Sequence, residues 1–316
     1  MKILYAGSPD AACNTLKILF ENQKSCGFEI VGVLSNPPSA KGRHHDLIPT
    51  PVAAFAQEKG LPVFTPEHLD SACRDLISPL KADLLVCFAY GHIFGPKFLA
   101  MFPMGGINLH PSLLPKYRGC TPVNAAILNG DKETAVTIQT LGLKMDEGDI
   151  LAQQIIDLDG SETGQSLLEN SANIGADLIC QLLKEASAAG KLPQGRQQEG
   201  QASYTGIITK EDGRINWSEP ASVIEAKIRA YYPEPGCWCM ENGLPLRILK
   251  AKVVSGENKS EDQPGQVLAF NKAQGIEIKT GQGSLFVLEL QRQGKKSLNY
   301  KDFMNGARDF VGTVLE

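Results

Sequence analysis

Three polar side chains in the middle of the chain are suited to acyl-transfer chemistry. Asn108 and His110 stand two apart at the end of an apolar stretch that predicts a β-strand. Because side chains at i and i+2 lie on one face of a strand, both are expected to point into one pocket, while Leu109 packs away from it. An amide can donate to a developing oxyanion, and an imidazole can stabilise that oxyanion or move a proton. A carboxylate such as Asp146, in a later glycine-rich turn, would set the tautomer and pKa of the imidazole.

The segment that follows His110 favours a binding site over an ordinary turn. Taken alone, a strand-end Asn is often a turn residue and a single His is often a satisfied polar group. Pro111 and Pro115, however, bracket a stiff non-helical loop whose backbone groups can bind a flat polar ligand. No Ser or Cys stands at an obvious nucleophile elbow, so the attacking group is expected to come from the substrate. Asp149 is a second candidate for the carboxylate.

The elements that must position these residues read as an α/β domain. Residues 3–6 predict a buried strand, followed by a helix to about residue 21 with Ser8 as N-cap and Pro9 at its first position. A second strand at 30–34 completes a βαβ unit and hence predicts a parallel sheet. The turn after the first strand lacks the G-x-G-x-x-G spacing, which argues against a nicotinamide-dependent dehydrogenase.

Two strand ends are expected to flank one pocket. Residues 84–88 form a fully apolar run and predict a central strand. Ligands of open α/β sheets bind beyond the carboxyl ends of the strands, where Phe88, Tyr90 and the Asn108–His110 pair all lie. Phe88 and Tyr90 are therefore candidate ligand contacts, although both also fit a hydrophobic core, and the backbone of this turn is the better candidate.

The second half of the chain predicts a hairpin, a long helix and a separate β domain. Residues 135–139 and 150–156 predict paired strands, and 163–188 an amphipathic helix. A polar stretch rich in Gly and Gln at 190–203 predicts a linker. After a helix near 221–231, short glycine-bounded strands predict a small antiparallel barrel: 236–241, 246–254, 265–270, 275–280 and 284–290.

Composition excludes several classes of protein. The 316 residues are 42% hydrophobic and 21% charged, with a net charge of −4, which is typical of a globular protein and unlike a broadly nucleic-acid-binding one. The eight cysteines form no C-x-x-C pair, so reduced thiols and no zinc site are expected. No signal peptide or membrane span is predicted, and a cytoplasmic location follows. The adjacent His44 and His45 are poorly placed to share one metal ion.

The motif around the three polar residues resembles that of a known enzyme family. Asn-x-His-x-Ser-Leu-Leu-Pro-x-Tyr-Arg-Gly at 108–119, with Asp-x-Gly-Asp at 146–149, is similar to the signature of the 10-formyltetrahydrofolate-dependent formyltransferases, as are 6–10 and 86–91. The resemblance implies that Asn108, His110 and Asp146 are catalytic, with Asp146 favoured over Asp149 because it precedes the glycine by two. It implies 10-formyltetrahydrofolate as formyl donor and no metal. The implied folate contacts are Ser112, Leu113, Leu114, Pro115, Phe88 and Tyr90.

The resemblance also implies a two-domain architecture. A Rossmann-like parallel-sheet catalytic domain at 1–189, the linker at 190–203 and an OB-like β-barrel domain at 204–316 are expected. Residues 204–217 and 229–236 are similar to the branch of the family that formylates methionyl-initiator tRNA for translation initiation. A monomer is expected. The nearest alternatives share the first domain: a formyltransferase acting on an amino sugar nucleotide, and a formyltetrahydrofolate hydrolase. An inactive homologue that only binds nucleic acid fits the complete set of three polar residues less well.

The implied tRNA contacts lie in a long polar loop and in the second domain. In the tRNA-formylating branch, the loop at 35–51 approaches the acceptor end, so Lys41 and Arg43 are the candidate phosphate contacts. Lys210 is a candidate in the second domain, with Arg292, Lys295 and Lys296 as further basic residues. The loop departs from the family pattern, because His44-His45-Asp46 replaces additional lysines.

Overall fold

The computed structural model describes residues 1–41, 46–254, 262–307 and 309–316. The chain folds into two compact units. Unit 1 comprises residues 1–122, 133–157 and 168–206, and unit 2 comprises residues 123–132, 158–167 and 207–316. Each unit is built around its own main β-sheet.

Unit 1 contains a seven-stranded, mostly parallel sheet. Its strands and two small ribbons are β1 (Lys2–Gly7), β2 (Glu29–Leu34), β3 (Ser39–Lys41), β4 (Asp46–Ile48), β5 (Val63–Phe64), β6 (Leu84–Phe88), β7 (Gly106–His110), β8 (Arg118–Gly119), β9 (Glu133–Thr140), β10 (Ile150–Asp157) and β11 (Tyr204–Thr205). The sheet order is β10-β9-β7-β6-β1-β2-β5, with β5, β2, β1, β6 and β7 parallel. Strands β9 and β10 are antiparallel, so both the parallel sheet and the hairpin are confirmed.

Helices cover both faces of this sheet and explain its apolar central strands. The helices of the chain are α1 (Asp10–Asn22), α2 (Pro51–Glu58), α3 (Ser71–Ile77), α4 (Pro96–Leu99), α5 (Pro122–Leu128), α6 (Gly164–Ala189), α7 (Ala221–Ala230) and α8 (Tyr300–Asn305). Strand β6 is buried at every position. Val86 belongs to one core cluster with Leu16 and Ile179, whereas Leu85 belongs to another with Phe98. Burial on both faces is the reason for the unbroken apolar run.

The first helix begins one residue later than the sequence predicts. Its N-cap is Pro9, and no side chain caps it. Ser8 does not cap the helix, because its hydroxyl binds the residues that follow β2. It lies 3.3 Å from the Ser35 hydroxyl and accepts a hydrogen bond from the Asn36 amide. By contrast, Thr50 does cap α2, through a 3.1 Å bond from the Ala53 amide.

The segment predicted as a linker belongs to unit 1. Residues 190–203 lie within the unit, which continues to Gly206. Arg196 exchanges backbone hydrogen bonds with Ile150, and β11 pairs in parallel with β8. The composition predicts a linker, but the backbone groups of Arg196 and Ser203 bond to residues of unit 1 that lie far away in the sequence.

Unit 2 contains an antiparallel sheet, as predicted. Its strands are β12 (Cys237–Glu241), β13 (Leu244–Val253), β14 (Val267–Asn271), β15 (Gly275–Lys279), β16 (Ser284–Arg292) and β17 (Leu298–Asn299). The order is β12-β13-β16-β15-β14, and β17 pairs with β16. Helix α7 buries Ile224 and Ile228 within this unit. The architecture is therefore a Rossmann-like parallel-sheet domain followed by a domain of antiparallel strands.

The cysteines form no disulfide bonds. All eight cysteines are free thiols, and Cys120 is exposed whereas Cys87 is buried. Burial raises the pKa of the Cys87 thiol to about 12, so this thiol stays protonated at neutral pH.

No helix in the described part of the chain is long and apolar enough to cross a membrane.

Candidate active site

Strand β7 delivers Asn108 and His110 to one face of the sheet. Leu109, between them, is buried in the core cluster that contains Val136 and Ile179. In the antiparallel register with β9, Asn108 stands opposite Gln139 and His110 opposite Thr137. The face therefore presents alternating polar side chains from two adjacent strands, as the i and i+2 spacing predicts.

His110 is buried and its ring orientation is set by one hydrogen bond. Only 4% of the residue is exposed. Its Nε2 lies 2.9 Å from the carbonyl oxygen of Tyr117, and because a carbonyl oxygen only accepts, Nε2 carries the hydrogen. Burial lowers the pKa of His110 below its usual value, against the opposing effects of Asp146 and of the Tyr117 carbonyl. The resting ring is therefore neutral at neutral pH, with its lone pair on Nδ1.

The Asp146 carboxylate lies beside that lone pair. Its Oδ1 is 3.6 Å from His110 Nδ1 and accepts a 2.8 Å hydrogen bond from the Gln139 side-chain amide. Its Oδ2 accepts a 2.8 Å bond from the backbone amide of Gly119. Asp149, the alternative carboxylate, is exposed to solvent. The structure thus brings Asp146, and not Asp149, to His110.

A tight turn holds Asp146 in place. Asp146 itself has a φ of 54°, a left-handed conformation that Asp tolerates better than most residues. Gly148 packs so closely against Thr140 that a Cβ there would overlap the Thr140 carbonyl oxygen. The turn therefore depends on a residue without a side chain at position 148.

We expect Gly148→Ala to destabilise the protein by about 1–3 kcal/mol and to lower activity, because the backbone must shift to accommodate the added methyl group. Gly142→Ala is the matched control in the same loop, since a Cβ there meets no atom within 4 Å. Thermal unfolding and turnover of both variants provide the measurement. Equal effects of the two changes would show that the close packing at Gly148 is unimportant.

Asn108 has a side chain that is available to a ligand. It is partly buried, and its amide makes no hydrogen bond to any residue that the structure describes. An unengaged amide donor on the same face as His110 is suited to bind a carbonyl oxygen or an oxyanion.

In the loop after His110, several of the predicted ligand contacts are buried or hydrogen-bonded within the protein. Ser112 is fully buried, and its hydroxyl donates a 2.6 Å hydrogen bond to the Lys116 carbonyl. Leu114 and Pro115 are buried and joined by a cis peptide bond. Leu113 is partly exposed, so it is the member of this set whose side chain reaches the surface.

Phe88 and Tyr90 are placed in hydrophobic packing. Each is 2% exposed, and the Tyr90 ring stacks on Phe94 with 5.6 Å between centroids. Ala89, between them, is exposed and has a φ of 49°. The exposed part of this turn is therefore at Ala89 and Gly91, and contact between the backbone of the turn and a ligand stays a prediction.

The predicted tRNA contacts are described only in part. Lys41 ends β3, and Arg43, His44 and His45 lie outside the described residues. Lys210 lies in unit 2, where its carbonyl accepts a 3.0 Å bond from the Trp238 indole and its Nζ is 6.0 Å from the centre of the indole ring.

Several residues that complete the site are not evident from the sequence motif. Gln139 could have been recognised, because Thr137 and Gln139 stand two apart in β9 and so share the face on which Asn108 and His110 lie. Gln198 carries no such signal, yet its side-chain amide donates 2.8 Å hydrogen bonds to the carbonyls of Asp146 and Gly148. Among the residues that the structure describes, no group of three or more His, Cys, Asp or Glu side chains could hold a metal ion.

Comparisons with known proteins identify the family. A model of the family described as formyl transferase matches residues 1–183, and one of the formyl transferase C-terminal domain matches residues 207–308. The chain belongs to the formyl transferase family. The methionyl-tRNA formyltransferase of Treponema denticola is 45% identical to this formyl transferase over 325 residues, covering 98% of both chains.

Solved structures share the fold at low sequence identity. The methionyl-tRNA formyltransferase of Clostridium thermocellum is 18% identical, with a TM-score of 0.59 over 81% of this chain and 95% of its own. The N-formyltransferase of Helicobacter canadensis, in complex with folinic acid and dTDP-3-aminofucose, is 20% identical, with a TM-score of 0.64 over 92% of this chain and 99% of its own. This formyl transferase therefore shares its fold with proteins that are named as different formyltransferases.

Proposed function

We propose that this formyl transferase moves the formyl group of 10-formyltetrahydrofolate to the amino group of methionine on charged initiator tRNA, for translation initiation. The observation that carries the proposal is the 45% identity to a methionyl-tRNA formyltransferase over 98% of both chains. That match includes the antiparallel second domain as well as the catalytic one, so it covers more than the chemistry that the whole family shares.

The reaction is a direct acyl transfer. The amine attacks the formyl carbon, a tetrahedral intermediate forms, and the bond from that carbon to N10 of the folate breaks. The amine nitrogen loses a proton and N10 gains one, so no other reactant is needed. Because an amine and a formamide-like donor react slowly in water, holding them together supplies much of the acceleration.

His110 and Asp146 act on the proton. Since Nε2 donates to the Tyr117 carbonyl, the lone pair of the neutral ring is on Nδ1, which accepts the amine proton directly or through water. The Asp146 carboxylate, 3.6 Å away, then stabilises the imidazolium until the proton passes to N10. Asn108, whose amide is unengaged, donates to the oxygen of the tetrahedral intermediate.

Different residues are assigned to the binding of each substrate. The loop at 111–115, with Leu113 at the surface, and the exposed backbone of the turn at 88–91 hold the folate. Lys41, Arg43 and Lys210 contact tRNA phosphates. We propose a cytoplasmic monomer, and light scattering in solution tests the oligomeric state.

A parallel assay tests the acceptor. Purified protein is given 10-formyltetrahydrofolate with methionyl-initiator tRNA, with free methionine, with a dTDP-3-amino sugar, or with no acceptor. We expect formylation of the charged tRNA alone. Formylation of the sugar nucleotide, or donor consumption without any formylated acceptor, would overturn the proposal in favour of a sugar formyltransferase or a hydrolase.

A further inference from the structure

A long polar segment of unit 1, residues 196–206, runs along the turn that carries Asp146 and the motif strand β8. It contributes one antiparallel bridge from Arg196 to Ile150 and the short parallel pairing of β11 with β8. Ser203 adds two contacts, because its hydroxyl accepts from the Tyr117 amide and its carbonyl from the Arg118 amide, each at 2.9 Å. These contacts place the segment next to the catalytic residues, although it is about 50 residues away from Asp146 in the chain.

Gln198 is the member of this segment that reaches the Asp146 turn. Its side-chain nitrogen lies 2.8 Å from the carbonyls of both Asp146 and Gly148, and 3.2 Å from the side-chain oxygen of Gln139. Its side-chain oxygen accepts two bonds from the Arg118 guanidinium, from Nε at 3.1 Å and from Nη2 at 2.8 Å. The orientation of the amide is unambiguous, because a carbonyl only accepts and a guanidinium only donates.

Arg118, which donates to Gln198, is itself held by two side chains. Its Nη1 donates to the Tyr204 hydroxyl at 2.9 Å and lies 3.2 Å from the Glu147 carboxylate, which also accepts from that hydroxyl at 3.1 Å. The Arg118 side chain is only 11% exposed, so competition from water is limited. The Arg118 guanidinium thus binds the oxygen of the Gln198 side chain, and the nitrogen of that side chain binds the Asp146 turn.

The contacts of Gln198 continue to the catalytic pair. Gln139, whose oxygen faces Gln198, donates through its nitrogen to Asp146 Oδ1, the oxygen that lies 3.6 Å from His110. The main chain of Asp146 is bound by Gln198 directly. Both the backbone and the carboxylate of Asp146 are therefore positioned by these hydrogen bonds, whereas none of the hydrogen bonds that Gln198 makes within the described part of the chain goes to His110.

We propose that Gln198 is a positioning residue for formyl transfer: held by Arg118, its amide fixes the turn that carries Asp146 and so keeps the Asp146 carboxylate beside the His110 ring. The proposal rests on the function proposed above. Its physical basis is that Gln198 binds the carbonyls of Asp146 and Gly148 in a turn with a left-handed residue, so that loss of these bonds removes a restraint on the turn's backbone that the Gly119 and Gln139 contacts of the carboxylate do not replace.

The test replaces the amide by an apolar side chain of similar size. In Gln198→Leu, we expect kcat with methionyl-initiator tRNA to fall about tenfold to hundredfold, as small displacements of catalytic groups do, while KM for both substrates changes less than about twofold. The pKa of His110, followed by NMR with ¹³C-labelled histidine, should fall further, because the Asp146 charge that raises it is no longer held in place. Comparison with His110→Ala assigns its signal among the five histidines.

The neighbouring Gln197 provides the matched control. It is exposed, and Gln197→Leu should leave both kcat and the His110 pKa unchanged. If Gln198→Leu does not fold, Gln198→Asn keeps the amide but shortens its reach by one methylene, and the same losses are expected. A folded Gln198 variant with normal kcat overturns the proposal, as does one with lower kcat and thermal stability but an unchanged His110 pKa. Wild-type protein that formylates no charged tRNA refutes the proposed function instead, and the NMR comparison still tests the positioning of Asp146.

Discussion

Replacing His110 with alanine is expected to lower kcat for formyl transfer by about 100-fold to 10,000-fold, the range for loss of a general acid–base group. The ring supplies the only buried imidazole on the face of β7, and its free Nδ1 is the proton acceptor in the proposed reaction. Affinity for the folate should change little, because the proposed donor contacts lie in the loop at 111–115 and the turn at 88–91. Single-turnover kinetics and titration with 5-formyltetrahydrofolate separate the two effects.

The same change has a structural cost that must be measured. Loss of the ring removes the hydrogen bond that His110 Nε2 donates to the Tyr117 carbonyl, a cost of about 1–3 kcal/mol, so thermal unfolding should accompany the kinetics. His68→Ala is the control, because His68 is exposed and lies outside the site. Near-normal turnover of folded His110→Ala would refute the role assigned to the imidazole.

Asp146→Asn is expected to lower kcat by about 100-fold to 10,000-fold and to move the pH profile. The carboxylate raises the pKa of His110 against the lowering caused by burial, so removing its charge lowers that pKa further. Since the reaction requires the neutral ring, the acid limb of kcat/KM should shift to lower pH. The rate itself falls because the imidazolium formed during proton transfer has lost its neighbouring anion.

Asp149→Asn is the matched control for this change. Its carboxylate is exposed, three residues along the chain, and the variant should keep wild-type turnover and an unchanged pH profile. A shift of the acid limb of Asp146→Asn to higher pH would contradict the assigned electrostatics. An equal loss in both variants would instead indicate that the turn, and not the charge at Asp146, limits the rate.

The parts of the fold that follow from local patterns were accessible from the sequence. The unbroken apolar run at 84–88 predicts a strand buried on both faces, and β6 is that strand. The alternation of Asn108, Leu109 and His110 predicts which side chains share a face, because the period of a strand is two residues. The antiparallel second domain follows in the same way from short glycine-bounded strands.

Local patterns were less informative where a side chain has two possible uses. The Ser8 hydroxyl is suited to cap α1 but instead bonds to the Ser35 hydroxyl and the Asn36 amide. The parallel pairing of β1 with β2 brings these two residues to it. Phe88 and Tyr90 were compatible with core packing or with ligand contact, and the aromatic stack with Phe94 places Tyr90 in the core. Their role in folate binding, like that of the tRNA contacts, remains a prediction.

The sequence by itself determined the family signature, the strand that carries Asn108 and His110, and the chemistry that an amide, an imidazole and a carboxylate can perform. Only the tertiary structure decided that Asp146 and not Asp149 lies beside His110, that Nε2 carries the ring hydrogen, and that Gln198 holds the Asp146 turn. The physical reason is the range of the interactions. Strand periodicity acts between neighbouring residues, whereas these hydrogen bonds join groups 7 to 52 residues apart, whose meeting depends on how the whole chain packs.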